Sequence, residues 1–359
     1  MNLFIKKYQT SIHCSSIFNR WGGHCLFAIF LLVVILQGCS AKKEVVFSGR
    51  TMGTTYHIKA VAGYFIWTAD LKTKIDACLV DINQSMSTYI QDSEISRFNR
   101  FEKIDAPFFV SDGFLDVIRT AEKLYKITGG AWDGTVKPLV DLWGFGKPGR
   151  QGGLPDAEAI ESRLKTVGFD RIEISDEGYV KKQHADTTLD FASIAKGYGV
   201  DRVSGLLKSE GIADFIVEIG GEVVASGRRK DGRPWHVGVN MPDKDASRSA
   251  LYGVVDLSDR AMATSGDYRN FFEKDGVMYS HIIDPRTGYP VRNGVVSATV
   301  ITRDCMLADG LATAVMVMGH EKGLALLERM PGVEGMVIVR EADNRLVDYP
   351  TPGFVTLMR

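Results

Sequence analysis

The sequence lacks a strong excess of charge of either sign. Its 359 residues carry 43 Lys and Arg against 44 Asp and Glu, which gives a formal net charge of −1 at pH 7. Because proteins that bind nucleic acid present a basic surface, we expect no nucleic-acid partner. Acidic runs, internal repeats and low-complexity stretches are also missing, which argues against a solenoid and against extended disorder. What remains is the composition of an ordinary globular protein.

The sequence also lacks an uncharged apolar run of the roughly 20 residues that a transmembrane helix needs. The apolar run over residues 25–36 is shorter, and it follows the basic residues Lys6, Lys7 and Arg20. A basic start followed by a short apolar core is typical of a secretory signal peptide. An uncleaved signal anchor is the alternative interpretation.

The apolar run ends in Leu36-Gln37-Gly38-Cys39-Ser40, with a small residue directly before the cysteine. This pattern resembles the lipobox of bacterial lipoproteins, in which the cysteine sulfur is acylated and the preceding segment is removed. We therefore predict a signal peptide over residues 1–38, lipidation of Cys39 and a short tether over residues 39–44. The resemblance implies a lipid-anchored protein on the periplasmic side of the cell membrane.

Cysteine is scarce, which limits what the remaining cysteines can do. Cys14 and Cys25 would leave with the signal peptide, and Cys39 would carry lipid. Cys78 and Cys305 lie far apart in sequence and have no spacing typical of a metal site. Both lie in apolar, helix-like stretches, where a free cysteine packs as a small hydrophobic residue. A disulfide between them is the alternative in an oxidising compartment.

The remaining chain contains clear helical and strand patterns. A helix is predicted where apolar residues recur at spacings of three and four, at Leu71, Ile75, Leu79, Ile82 and Met86. Further helices are predicted over residues 114–127, 156–167, 194–207, 306–318 and 322–330. Strands rich in β-branched and aromatic residues are predicted over residues 45–60, 171–175, 179–183, 215–219, 223–226, 235–240, 252–257, 277–283, 296–302, 335–339 and 345–348.

The order of these elements predicts the fold class. Because strands and helices occur in blocks rather than in strict alternation, we expect an α+β fold with antiparallel-rich sheets and packed helices. No stretch resembles a linker, so residues 45–359 are expected to form one compact region. A solute-binding lipoprotein would need two similar α/β lobes, and the sequence does not indicate them.

Two segments are rich in glycine and small polar residues. Residues 49–55 contain two glycines and three hydroxyl side chains, which let backbone amides approach a ligand, although a hairpin turn explains them equally well. Residues 130–139 place Trp132 and Asp133 among small residues. An indole can stack on an aromatic ring while a carboxylate bonds to the ring's edge. A structural loop around a core tryptophan is the alternative.

Two helix-like segments place polar groups among apolar residues. Asp190, Ser193 and Lys196 follow at intervals of three on roughly one helix face, and Asp309 and Thr313 lie one turn apart. A lone charge in apolar surroundings needs a partner, because burying an unpaired charge is costly. Oxygen ligands of this kind suit Mg²⁺, which takes few protein ligands. Capping of a helix by Asp190 and a structural role for Asp309 are the alternatives.

A dense polar run lies where a predicted strand breaks into a turn that contains proline and glycine. His281, Asp284, Arg286 and Thr287 all lie in this run. Polar side chains at strand ends are typical of catalytic loops. His281 is the first candidate for a general base and Asp284 is the second. A structural histidine is the alternative.

Together and in this order, these segments resemble those of the ApbE family of FAD:protein FMN transferases. The similarity covers nearly all of the chain after the predicted signal peptide, and it is carried by the segments around Met52, 190–196, 264–267, 281–288 and 309–313. It implies an enzyme that binds FAD and Mg²⁺, cleaves the pyrophosphate, esterifies FMN to a Thr or Ser hydroxyl of an acceptor protein and releases AMP. It also implies acceptors among the subunits of membrane redox complexes of the Nqr and Rnf type.

The resemblance further implies roles for single residues. The FAD site would contain Met52, Tyr89, Ala131, Trp132, Asp133, Asp190, Lys196 and Ile283. The metal would be held by Asp309, Thr313 and an oxygen of Ser193, for which the backbone carbonyl is the candidate. His281 and Asp284 would lie near the reacting phosphate.

Two other functions would use the same residues. An FAD pyrophosphatase would replace the protein hydroxyl by water and would yield free FMN and AMP. A flavin-storing lipoprotein would bind FAD without catalysis. The candidate base His281 and the metal-type pair Asp309 and Thr313 argue against storage alone.

Overall fold

The computed structural model describes residues 42–64, 66–146, 153–247, 249–268 and 270–359. The predicted signal peptide, the lipidation site Cys39 and the first part of the predicted tether lie outside the described residues. In the part of the chain that is described, no helix is long and apolar enough to cross a membrane. Lys43–Arg359 forms one compact unit.

The secondary structure begins with a pair of strands and ends with a short helix. The strands are β1 (Lys42–Thr51), β2 (Thr54–Gly63), β3 (Phe108–Phe109), β4 (Ile172–Ile174), β5 (Tyr179–Lys182), β6 (Asp214–Ile219), β7 (Glu222–Ser226), β8 (Trp235–Asn240), β9 (Leu251–Leu257), β10 (Arg260–Gly266), β11 (Phe271–Lys274), β12 (Val277–Ser280), β13 (Val295–Thr302), β14 (Glu334–Arg340) and β15 (Leu346–Pro350). The α-helices are α1 (Leu71–Met86), α2 (Glu94–Asn99), α3 (Asp112–Thr128), α4 (Lys137–Leu142), α5 (Ala157–Leu164), α6 (Ala192–Ser209), α7 (Cys305–Met318), α8 (His320–Glu328) and α9 (Pro352–Val355). A short 3-10 helix covers Phe169–Arg171.

A large sheet organises the molecule. Its eight strands lie in the order β1-β2-β6-β7-β10-β13-β14-β15, and each pairing from β2 to β15 is antiparallel. Smaller sheets are formed by β3-β5-β4, by β8-β9 and by β11-β12. Strand β13 is buried along its whole length, because both faces of the large sheet are covered.

The two faces of the large sheet carry different covers. Helices α1, α3, α6 and α7 pack on one face, and β8, β9 and α9 pack on the other. Side chains alternate along a strand. Ala261 and Ala263 of β10 therefore pack against the helices, and Met262 between them packs into the apolar cluster formed with β8, β9 and α9 on the other face. A third apolar cluster includes Leu139, Trp143 and Ile283 and supports the loop after β12.

Helices α6 and α7 cross closely at Gly197. A Cβ atom on Gly197 would lie 2.5 Å from the carbonyl oxygen of Cys305, so no larger residue fits there. One turn further along α6, the Asp201 carboxylate accepts hydrogen bonds from the N–H groups of Cys305 and Met306, both at 2.9 Å. These bonds satisfy free donors at the start of α7 and fix its position against α6.

The structure confirms the predicted α+β class with antiparallel sheets, and it corrects several boundaries. The strand-like segment predicted over residues 45–60 is divided into β1 and β2, because Met52 and Gly53 reverse the chain, which agrees with the hairpin-turn interpretation of residues 49–55. The strand predicted over residues 277–283 ends at Ser280, and β11, which the sequence patterns did not indicate, pairs with it. Cys78 and Cys305 are free, as the packing interpretation predicted.

The Gly197 crossing yields a stability prediction. Gly197→Ala should destabilise the fold by about 1–3 kcal/mol, the usual cost of overpacking, because its methyl group meets backbone rather than a movable side chain. The measurement is the free energy of unfolding in urea. Gly205→Ala is the matched control, since a Cβ there would meet no atom within 4 Å in the same helix. A control that is as unstable as Gly197→Ala would contradict the explanation by contact.

Candidate active site

A cavity of about 590 Å³ opens where the β1–β2 turn, the end of α1 and the start of α6 meet. Four of the residues predicted to bind FAD line it, namely Met52, Tyr89, Asp190 and Lys196. A volume in this range suits a small organic ligand. Tyr89 is 77% exposed, so its ring belongs to the rim of the cavity and not to the core.

The β1–β2 turn brings Met52 into the cavity. Met52 and Gly53 have φ angles of 48° and 71°, as in the type I′ turns that suit the twist of a hairpin. A methionine tolerates this conformation only at some cost, which indicates that its position is useful. The Met52 Cε atom would lie 3.0 Å from a Cβ atom on Gly199, so the side chain packs directly on the backbone of α6.

The start of α6 forms one wall of the cavity. The Asp190 carboxylate accepts a hydrogen bond from the Ala192 N–H at 2.8 Å, so it does serve the helix start. The backbone N–H of Asp190 donates to the carbonyl of Gly134 at 2.8 Å. The N-terminus of a helix carries partial positive charge and free N–H donors, which favour phosphate. Lys196, one turn into the helix, adds a full positive charge at the same wall.

A buried charge cluster lies behind Lys196. Its Nζ atom is 2.6 Å from Glu222 Oε1 and 3.7 Å from Asp309 Oδ1. Both carboxylates are 2% exposed. Burial lowers the pKa of Lys196 while the two carboxylates raise it, and the carboxylates prevail, so its pKa lies above the usual value. The lysine is therefore a permanent cation.

Glu222 was not predicted from sequence, although it follows Gly220-Gly221 at the start of an otherwise apolar strand. Burial raises the pKa of Glu222 and that of Asp309 above their usual values, against the attraction of Lys196. Among the described residues, Glu222 Oε2 is buried without a hydrogen-bond partner. One lysine thus faces two carboxylates, and the cluster has room for further positive charge.

Of the predicted metal ligands, Asp309 belongs to this cluster. The Gly197 N–H, which in a regular helix would donate to the Ser193 carbonyl, donates to Asp309 Oδ2 at 3.1 Å. Thr313 lies one turn after Asp309, and its hydroxyl is 3.0 Å from that of Ser265. The described residues contain no group of three or more His, Cys, Asp or Glu side chains suited to a metal. A single carboxylate with neutral oxygens fits Mg²⁺, because Mg²⁺ keeps several water or phosphate ligands.

The imidazole of His281 is oriented by a backbone carbonyl. Its Nδ1 atom lies 2.9 Å from the carbonyl oxygen of Asn270, which can only accept a hydrogen bond. Nδ1 must therefore carry the proton, and Nε2 is left with a free lone pair. Burial lowers the pKa of His281, the bond to Asn270 raises it and the Lys196 charge lowers it, with a net decrease. His281 is a neutral base at pH 7.

The neighbouring residues are less available for proton transfer. Asp284 binds the Arg286 side chain through both carboxylate oxygens, at 2.9 Å and 2.8 Å, which makes it a weaker candidate for the base than His281. Ile283 forms a β-bridge with Pro290, but the two bonds of that bridge belong to neighbouring residues. The peptide groups of Ile283 therefore point away from the bridge, and a direct contact of Ile283 with FAD stays a prediction.

Three predicted FAD-site residues lie one layer behind the cavity. Ala131, Trp132 and Asp133 are 1%, 2% and 5% exposed, and the described wall of the cavity does not include them. The Trp132 Nε1–H donates to the Ser193 hydroxyl at 3.0 Å, which leaves the Ser193 carbonyl as the metal candidate. The Asp133 carboxylate accepts bonds from Thr135 and Phe169. A direct contact of these three residues with FAD stays a prediction.

Comparison with known proteins identifies the family of this chain. A sequence profile described as the ApbE family matches residues 52–337. The chain belongs to the ApbE family. The FAD:protein FMN transferase of Vibrio cholerae is 43% identical over 326 residues, which are 90% of this chain and 95% of that protein. The protein of the same name from Haemophilus influenzae is 40% identical over 332 residues, which are 91% of this chain and 95% of that protein.

A solved structure shares the fold. The flavin transferase ApbE from Vibrio cholerae superposes on this chain with a TM-score of 0.80 and 42% sequence identity, covering 88% of this chain and 99% of that one. The resemblance inferred from the sequence motifs is therefore confirmed at the level of family and fold. The fold brings the β1–β2 turn, the end of α1 and the start of α6 together around one cavity.

The charge cluster makes a stability prediction. Lys196→Met should lower the free energy of unfolding by about 3–5 kcal/mol, because it leaves two buried carboxylates without their cation. Glu222→Gln in the same chain should recover part of that loss by removing one of the unpaired charges. Urea unfolding of the wild type, both single variants and the double variant measures the coupling, which should exceed about 1 kcal/mol. Additive effects would show that the two side chains do not interact.

Proposed function

We propose that this ApbE-family chain is an FAD:protein FMN transferase that moves the FMN half of FAD onto a Thr or Ser hydroxyl of an acceptor protein, with Mg²⁺ and with release of AMP. The observation that carries the proposal is the cavity at which the N-terminus of α6 meets the permanent cation Lys196, together with a neutral base, His281, that lies close enough to Lys196 for its pKa to be lowered by the lysine's charge. The names of the relatives support the transferase class.

The cavity residues would hold FAD by its charge and its aromatic parts. The start of α6 and Lys196 face the side of the cavity where a pyrophosphate would find positive charge. Met52 and Tyr89 offer apolar and aromatic surface to a ring system. Asp309, Thr313 and the Ser193 carbonyl would hold Mg²⁺, which supplies positive charge to the pyrophosphate oxygens as negative charge develops on them.

His281 would accept the hydroxyl proton in the transfer step. The acceptor oxygen attacks the phosphorus of the FMN half, the bond from that phosphorus to the bridging oxygen breaks, and the bridging oxygen leaves with AMP. The hydroxyl proton passes to Nε2 of His281, whose lone pair is kept free by the Nδ1 bond to Asn270. Lys196 stabilises charge on the oxygens because it is already fixed before the reaction begins.

Hydrolysis of FAD by water is the competing reaction at the same residues. The two reactions differ in their products, since hydrolysis yields free FMN and AMP whereas transfer yields AMP and a flavinylated protein. Incubation with FAD, Mg²⁺ and an acceptor domain, followed by in-gel flavin fluorescence, separates them. AMP formation without fluorescent protein would reject the transferase proposal in favour of hydrolysis.

Asp309 makes a metal-specific prediction. Asp309→Ala should raise the Mg²⁺ concentration needed for half-maximal transfer at least about tenfold, since even outer partners of a metal usually contribute that much to affinity. The measurement is the transfer rate across a Mg²⁺ titration. Asp304→Ala is the matched control, because Asp304 is exposed just before α7 and its side chain makes no capping bond. An unchanged titration for Asp309→Ala would make Asp309 a structural carboxylate.

His281 makes a kinetic prediction. His281→Ala should transfer FMN at least about a hundredfold more slowly, the low end for loss of a general base, while FAD affinity and melting temperature stay near the wild-type values. His281→Asn is the matched control, because it can still donate to the Asn270 carbonyl but offers no base. Near-normal rates in either folded variant would move the role of base to Asp284 or to the acceptor protein.

The lowered pKa of His281 also predicts a pH profile. Its ordinary pKa of 6.5 is decreased by burial, so Nε2 stays unprotonated to a lower pH than in a free histidine. The decline of the transfer rate on acidification should therefore have its midpoint below pH 6.5. A rate that already declines above pH 7 on acidification would contradict this assignment.

The location and the acceptors complete the proposal. Lipidation at Cys39 would hold the enzyme at the periplasmic face of the cell membrane, near acceptor subunits of Nqr-type or Rnf-type redox complexes. Cys39→Ala should move the protein from the membrane fraction to the soluble fraction without changing FAD affinity. A Cys39→Ala protein that stays membrane-bound with an intact N-terminus would contradict lipidation.

A further inference from the structure

Two exposed aromatic residues, Tyr64 and Trp67, have no place in the core. They follow β2 and are 68% and 74% exposed. Between them, Ile66 turns inward, since its N–H donates to the Gly63 carbonyl at 3.0 Å and its side chain packs against the main core. The turn is thus anchored from inside, and it presents both aromatic rings outward. Large apolar groups held in this way indicate an interaction surface.

The position of these residues identifies what they face. Because β1 and β2 are neighbours joined by the turn at Met52, the start of β1 lies beside the end of β2. The side chain of Lys43 confirms this, since its Nζ donates to the Thr68 hydroxyl at 3.2 Å. Cys39 precedes Lys42 by three residues, which can span at most about 10 Å.

We propose that Tyr64 and Trp67, together with Lys43, form a membrane-contact patch that inserts into the headgroup layer of an anionic bilayer. The inference rests on the proposed lipid anchor at Cys39, which brings the patch to the bilayer. Tyr and Trp are enriched at this depth because their rings are apolar at one end and polar at the other. The Lys43 side chain, which lies beside them, can reach lipid phosphates while its stem covers apolar surface.

The membrane-contact patch has a geometric consequence for the active site. Each strand of the β1–β2 hairpin has 10 residues, so the hairpin is about 33 Å long. The patch lies at one end and Met52 lies in the FAD cavity at the other. Contact at the patch therefore directs the cavity away from the bilayer, toward the part of an acceptor that projects from it.

The tryptophans allow a direct test. Trp132, Trp143 and Trp235 are 2%, 3% and 4% exposed, so among the described residues only Trp67 can be quenched from outside. The full chain, processed in cells and reconstituted in vesicles of phosphatidylglycerol and phosphatidylcholine brominated near the headgroup, should lose roughly half or more of its Trp67 emission, as expected for an interfacial indole. Trp67 emission is the difference between wild type and Trp67→Phe.

A second tryptophan position provides the matched control. Phe109 is 71% exposed on β3, next to Phe108, which contacts Phe98 of α2. This region follows the far end of α1, whose 16 residues span about 24 Å. Phe109→Trp in the Trp67→Phe chain should keep its emission in the brominated vesicles. Equal quenching at both positions would overturn the proposal, because it would show random collision with lipid.

The mass of the N-terminal peptide distinguishes failure of the anchor from failure of the contact. An acylated Cys39 together with quenched Trp67 supports the proposal. An acylated Cys39 with unquenched Trp67 leaves the anchor intact and overturns the membrane-contact patch. An unmodified Cys39 removes the tether on which the inference rests and overturns both.

Discussion

The contact between Lys196 and Glu222 is the constraint on which the rest of the site depends. An ammonium group at 2.6 Å from a carboxylate that is 2% exposed is tolerable only if both charges remain paired and correctly oriented. Three elements must therefore stay in register: α6 carries the lysine, β7 the glutamate and α7 the second carboxylate, Asp309. The close crossing of α6 and α7 at Gly197 keeps the two helices in this register.

The same cluster explains how the site can attract a charged ligand and still remain folded before the ligand binds. Two carboxylates neutralise the charge of one lysine, so the interior carries no strong positive charge and the fold does not need an external anion. A cation at the cluster would favour the ionised forms of both carboxylates, whose pKa values are raised by burial, and the helix N-terminus with Lys196 would attract phosphate. A metal–nucleotide pair satisfies both demands at once, since it brings positive and negative charge together.

The spacing of neighbouring residues was sufficient to predict some elements of this structure and insufficient to predict the others. The periodicity that defined α1, and the one-turn spacing of Asp309 and Thr313, are properties of neighbouring residues and are readable from sequence. Glu222 was missed because its partner Lys196 lies on another element, and no spacing rule links residues that meet only through the tertiary fold. For the same reason, strands were predicted without their pairing, so the sequence did not decide between a ligand-binding loop and a hairpin turn over residues 49–55.

The choice between transfer and hydrolysis is not made by His281 alone. A neutral imidazole that accepts a proton from a serine or threonine hydroxyl accepts one from water as readily, because the two groups have similar acidity. Discrimination must therefore come from positioning, which can give a held nucleophile an effective concentration of up to about 10⁵–10⁸ M. The cavity is open, with Tyr89 exposed at its rim, so the held nucleophile has to arrive on a protein surface that closes the opening. In the proposed reaction, the acceptor would therefore supply both the hydroxyl and the wall that excludes water, and the enzyme would supply the charges and the base.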